Sequence, residues 1–162
     1  MEHTNAASLA DQSSFWFLGA DNRRLRLNGR LTRTFLRGDE ISAQFASGNK
    51  YLIVTHYDYF DYTDHWFHVV DRDGNVLDVF STPAYFGFVE NVLVEGSDRV
   101  SLGFFGTNDR WIFTIHDVGY WSFHASDLIR RANRFLVGKR YISAQRVRGA
   151  KWHLPRADAP LE

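Results

Sequence analysis

The chain has no cysteine among its 162 residues. That absence excludes a disulfide framework, a thiolate nucleophile and a thiolate metal site, and it suits a reducing compartment. Its longest apolar runs, such as Tyr51-Leu52-Ile53-Val54, fall far short of the roughly 20 residues that a membrane-spanning helix needs. Met1 to Ser14 is polar and lacks the apolar core of a secretion signal, so the expected location is the cytoplasm. Net charge is also missing, at +0. Nor is there a Gly-x-Ser-x-Gly elbow, a Gly-x-x-x-x-Gly-Lys phosphate loop or a His-Glu-x-x-His pair, which removes the common hydrolase, nucleotide-binding and zinc-protease signatures.

What the chain has in quantity is aromatic residues, with five Trp, seven Tyr and fourteen Phe. Such side chains favour pleated surfaces, and short alternating runs between turn residues recur from Phe15 to Val147. The fold class read from them is mainly β: an antiparallel meander of about twelve strands. The strands are expected at Phe15–Ala20, Arg23–Leu27, Arg30–Phe35, Glu40–Ala46, Tyr51–Tyr57, His65–Val70, Val76–Phe80, Phe86–Val94, Val100–Phe105, Trp111–His116, Tyr120–His124 and Tyr141–Val147. Asn28-Gly29 and Asp73-Gly74 tolerate the positive φ of tight hairpins.

Gly29, Gly74 and Gly119 stand at equal 45-residue spacing between strand-like runs, and Trp66 and Trp111 match at the same offset. The period suggests three propeller-like repeats of about 45 residues, set against a plain meander curled into a barrel or sandwich. One C-terminal helix is expected over residues 127–137, with Ser126 as its N-cap and Gly138 just past its end. The division is therefore a mobile segment at 1–14, a single β domain at 15–154 and a mobile tail at 155–162 that holds Pro155 and Pro160.

Charge is unevenly spread. Residues 1–50 carry seven Lys/Arg against five Asp/Glu, residues 51–128 three against twelve, and residues 129–162 nine against two. Either the two regions meet different partners, or the basic end packs against the acidic middle.

The most unusual stretch runs from His56 to His68, where carboxylates alternate with aromatics between two strands. Tyr57, Tyr59, Tyr62 and Trp66 supply rigid amphipathic contact area, while Asp58, Asp61 and Asp64 supply charge for a basic partner. These seven are the candidate partner-binding residues. The segment resembles the β-rich immunity proteins that bacteria make to neutralise toxins exchanged between neighbouring cells. The resemblance implies a tight, non-enzymatic complex in which the aspartates complement the toxin's charge and the tyrosines anchor it. The chain then reads as a cytoplasmic protein-binding module with a basic cognate partner, using no cofactor and binding neither nucleic acid nor membrane.

Two other classes compete with that reading. In a carbohydrate- or small-ligand-binding domain, Trp66, Trp111 and Trp121 would stack on the ligand. In a small His/Asp enzyme, at least two of His56, His116 and His124 would meet a carboxylate in one pocket. A metal centre is disfavoured, because alternation along a strand sends His65 and His68 to opposite faces. Arg140, Arg146, Arg148, Lys151 and Trp152 form a basic-aromatic patch near the C-terminus, and Arg130, Arg131 and Arg134 form the outer face of the expected helix. The acidic centre argues against phosphate binding.

Overall fold

The computed structural model describes residues 1–10, 22–82, 85, 87–122 and 138–149. Among these are twelve strands: β1 (Glu2–His3), β2 (Ala7–Leu9), β3 (Asn22–Leu27), β4 (Arg30–Arg37), β5 (Glu40–Ser47), β6 (Lys50–Asp58), β7 (Thr63–Asp71), β8 (Val76–Ser81), β9 (Val89–Val94), β10 (Arg99–Phe104), β11 (Arg110–Ser122) and β12 (Gly138–Val147). All pair antiparallel, in three sheets ordered β1-β5-β6-β7-β8, β12-β11-β10-β9 and β2-β3-β4. Among the described residues no helix is long and apolar enough to cross a membrane.

The three sheets stack as layers because the middle one is apolar on both faces. Leu52 and Val54 of β6, with Phe67 and Val69 of β7, pack on Val100, Leu102, Trp111, Phe113 and Ile115 of the four-stranded sheet. The intervening Ile53, with Val70, faces the other way, onto Leu25, Leu27 and Leu36 of the three-stranded sheet. Strands covered on both sides have no reason to alternate polar with apolar, which accounts for the unbroken runs Leu52-Ile53-Val54 and Val69-Val70.

Hydrogen bonds from side chains tie the layers together. The Gln44 amide accepts from the Ala7 N–H at 2.7 Å and donates to the Ala7 carbonyl at 3.1 Å, in place of a neighbouring strand. Asp78 on β8, almost fully buried, accepts from the Tyr141 and Ile142 N–H groups of β12 at 2.9 and 3.2 Å and from Arg140 at 2.8 Å. Arg146 pairs with Asp109, and buried Lys50 with Asp117 at 3.4 Å. Basic β12 thus meets the acidic middle of the chain, so Arg140 and Arg146 of the C-terminal patch are paired with carboxylates of the same chain, Arg146 at the surface; Lys151 and Trp152 lie outside the described residues.

Several sequence expectations need correction. In place of a free N-terminal segment, β1 pairs with β5 and β2 with β3. The 45-residue period does not govern the sheets. Gly29 and Gly74 occupy turns with φ of +76° and +86°, but Gly119 lies inside β11, where register shifts between Ile115 and Tyr120. A Cβ there would come within 2.7 Å of Lys139, so close packing explains that glycine rather than a hairpin. The runs expected as two strands, Trp111–His116 and Tyr120–His124, are joined through that irregularity as β11 up to Ser122. Gly138 begins β12. The strand expected at Phe15–Ala20, the helix at 127–137 with its three arginines, and the tail at 155–162 lie outside the described residues.

Candidate functional site

β6 and β7 form the hairpin that carries the acidic-aromatic segment. Pairing runs without a shift from Lys50↔Asp71 to Asp58↔Thr63, further than the sequence suggested. The loop is therefore only 59–62, closed by the Tyr59 N–H donating to the Tyr62 carbonyl at 2.8 Å. Asp58 accepts from the Thr63 hydroxyl at 2.9 Å, which fixes the last pair before the turn.

At this tip the tyrosines lean on one another. Tyr57 and Tyr59 have ring centroids 4.7 Å apart, and Tyr59 stacks on Tyr62 at 4.5 Å and 23°. Phe60 projects from the turn fully exposed. Asp58 and Asp61 are exposed, and Asp64 sits half-buried opposite Tyr57. No Lys or Arg occurs between Tyr51 and Asp71, and the one base of the two strands, Lys50, stands at the far end of the hairpin opposite Asp71. Trp66 does not belong to this surface. It is 7% exposed, paired with Thr55 on one side and Ser81 on the other, because β7 is an inner strand covered on both faces.

The tip is anchored from the side. Thr63 exchanges backbone hydrogen bonds with Tyr85, at 2.8 and 3.2 Å. Tyr85 stacks on Phe104 at 4.3 Å and accepts from the Trp111 indole N–H at 3.0 Å. Two further aromatics stand at the same end of the sheets: Phe88, 53% exposed, and Phe105, 64% exposed, joined by the Phe105 N–H donating to the Phe88 carbonyl at 3.0 Å. Phe88 meets the His56 ring edge-on at 5.2 Å. Sequence reasoning missed Phe60, Phe88 and Phe105. The usable signal was a large aromatic set at or beside a turn, as in Gly87-Phe88 and Phe105-Gly106.

Three histidines lie beneath this end. His56 Nδ1 is 2.7 Å from the Ser42 hydroxyl, and Nε2 is 3.7 Å from the Glu40 carboxylate. His65, its cross-strand partner, is fully buried against Phe104 at 4.6 Å, and neither ring nitrogen has a hydrogen-bond partner. Burial pushes the His65 imidazole down to about 4, with the nearby His56 adding to the effect and the Thr63 backbone and Asp58 opposing it. On the opposite face of β7, His68 Nε2 lies 3.1 Å from the Thr55 hydroxyl; burial, with some help from the Arg37 charge, brings it to about 4 against a hydrogen bond with the Arg37 backbone. Both rings are neutral at pH 7, and they face apart.

The residues of the competing readings are dispersed. His116 bonds Ser143 at 2.9 Å on the outer face of the four-stranded sheet, whereas His56 looks inward from the central sheet. His124 is outside the described residues. Of the three tryptophans proposed to stack on a ligand, Trp66 and Trp111 are buried and Trp121 is exposed. Among the described residues no group of three His, Asp or Glu could hold a metal ion. Set against known protein families, curated proteins and solved structures, the chain matches none of them.

Proposed function

We propose that the chain is a non-enzymatic binding module that grips a basic protein with the β6–β7 tip, and, within that class, an immunity protein that neutralises a toxin. The observation that carries the reading is Phe60, fully exposed on a four-residue turn stiffened by the Tyr57–Tyr59–Tyr62 stack. Exposing a phenylalanine to water has a cost that a central interface anchor recovers on binding, and a preformed stack loses little entropy when it docks. Asp58 and Asp61 ring that anchor with charge, which speeds encounter with a basic surface. Phe88 and Phe105 extend the apolar area at the same end.

The test is calorimetry and surface plasmon resonance against a toxin domain, if one is found encoded by a neighbouring gene, using Phe60→Ala and, separately, Asp58→Asn, Asp61→Asn and Asp64→Asn combined. Truncating the anchor is expected to cost roughly 2 kcal/mol or more of affinity with the fold intact. The combined variant is expected to bind more slowly at low salt and to lose most of the wild-type salt dependence. Unchanged binding in both variants moves the interface away from the tip.

A further inference from the structure

The opposite outer layer has its own chemistry. From Asn22 to Arg37, β3, its turn and β4 contain six arginines, no lysine and no acidic residue. The inner side of this ribbon is settled: Leu25, Leu27 and Leu36 pack on the central sheet, and the Thr34 hydroxyl donates to the Gly74 carbonyl at 2.6 Å. Pleating then turns Leu31, Arg33, Phe35 and Arg37 outward, and the cross-strand pairs Arg24↔Phe35 and Arg26↔Leu31 place two more arginines on that face. Leu31 is 46% and Phe35 45% exposed, and Arg26, Arg33 and Arg37 are exposed. Among the described residues no carboxylate forms an ion pair with any of the six.

We propose that this outer face of β3 and β4 binds single-stranded nucleic acid, with Arg26, Arg33 and Arg37 on the phosphates and Phe35 as a platform for a base. Like an open sheet that stacks unpaired bases, the face is broad, and its aromatic is flanked by cations along the strand and across it. The exclusive use of arginine fits phosphate recognition, since the planar guanidinium offers a bidentate fork and also stacks on bases; attraction to an anionic membrane would be served equally by lysine. Most of the acidic residues that argued against phosphate in the sequence sit elsewhere, the exposed Asp73 being in the turn that packs on the inner side of β4. Glu90, Glu95, Asp98, Asp109 and Asp117 belong to the far layer and its turns. Stacked sheets are about 10 Å apart, so two layers exceed the roughly 8 Å over which exposed charges act at physiological salt. Asp71, beneath β4, has its carboxylate engaged by the Asp73 and Asn75 N–H groups at 2.9 and 2.8 Å.

The inference is separate from toxin binding at the tip, and its test keeps the two apart. Fluorescence anisotropy with a labelled single-stranded oligonucleotide of mixed sequence, across a salt series, is run on the whole chain and on two variants. Changing Arg26, Arg33 and Arg37 together to Gln is expected to weaken binding at least ~10-fold at low salt and to flatten the log–log salt slope by roughly 2, given about 0.7 per phosphate contact. Phe35→Ala is expected to weaken binding ~10-fold with the slope nearly kept, because stacking and not charge is lost. The combined Asn variant at Asp58, Asp61 and Asp64 should bind the oligonucleotide at least as well as the parent. The proposal is overturned if the parent does not bind the oligonucleotide, if either surface variant binds like the parent, or if the face binds phosphatidylserine vesicles and not the oligonucleotide.

Discussion

Acidification should weaken this protein well above the pH at which most carboxylates protonate. His65 and His68 are buried and neutral, each brought from 6.5 to about 4. Between those values the unfolded chain binds two protons that the folded chain refuses, so stability is full above pH 6.5 and falls as pH drops towards 4. Each shift of about 2.5 pH units corresponds to about 3 kcal/mol, and the combined slope within the window approaches roughly 2.7 kcal/mol per pH unit. From pH 7 to pH 5 the loss is roughly 3–4 kcal/mol, a large part of the 5–15 kcal/mol that holds a typical domain together. With a urea m-value of about 2 kcal/mol/M, the midpoint should drop by roughly 2 M. Urea titrations at pH 7, 6 and 5, followed by tryptophan fluorescence, measure this, and His65→Leu, which removes an imidazole with no hydrogen-bond partner, should halve the pH slope. A midpoint that holds constant from pH 7 to pH 5, or a slope unaffected by His65→Leu, would refute the assignment of neutral, proton-refusing rings to this core.

Two further outcomes follow from the packing. Phe67, fully buried and stacked on Phe113 at 4.1 Å, joins the central sheet to the four-stranded sheet, so Phe67→Ala should cost about 3–5 kcal/mol in chemical denaturation. Asp78→Ala removes the carboxylate that two β12 N–H groups and Arg140 share and should cost about 3–5 kcal/mol, while Asp78→Asn, which keeps an acceptor oxygen, should cost less.

Features with local causes were legible in the sequence. The Asn28-Gly29 turn has φ of 49° and 76°, as its residue types require, and β3 to β8 fall within two residues of their expected bounds. The antiparallel β class followed from the same alternation and turn chemistry. β1 and β2 were illegible because two- and three-residue strands in a polar run exist only through their partners, β5 and β3. Gly119 shared its spacing with two turn glycines for a different reason, the close approach of Lys139 and Tyr141. At the candidate site, the tyrosine and aspartate content of the tip could be read directly. That Trp66 turns into the fold while Phe60 turns out depends on a second sheet covering β7, which no local pattern reveals. Segment-averaged charge likewise concealed the arginine face, since Glu2, Asp11, Asp21, Asp39 and Glu40 offset it in the count but lie outside the ribbon.

The hairpin that bears the tip is also the most enclosed pair of strands in the molecule, and this divides the chain into parts with different freedom to change. Substitutions in 52–56 or 65–70 disturb two cores at once, whereas Phe60 and Asp61 touch water and can be exchanged at little thermodynamic cost. A lineage under pressure to recognise altered partners could therefore rewrite the four-residue turn repeatedly while the inner positions, five on β6 and six on β7, stay fixed. Mutational tolerance should change abruptly at Asp58 and Thr63, within one residue step, and a deep substitution scan scored for folding alone would display that border.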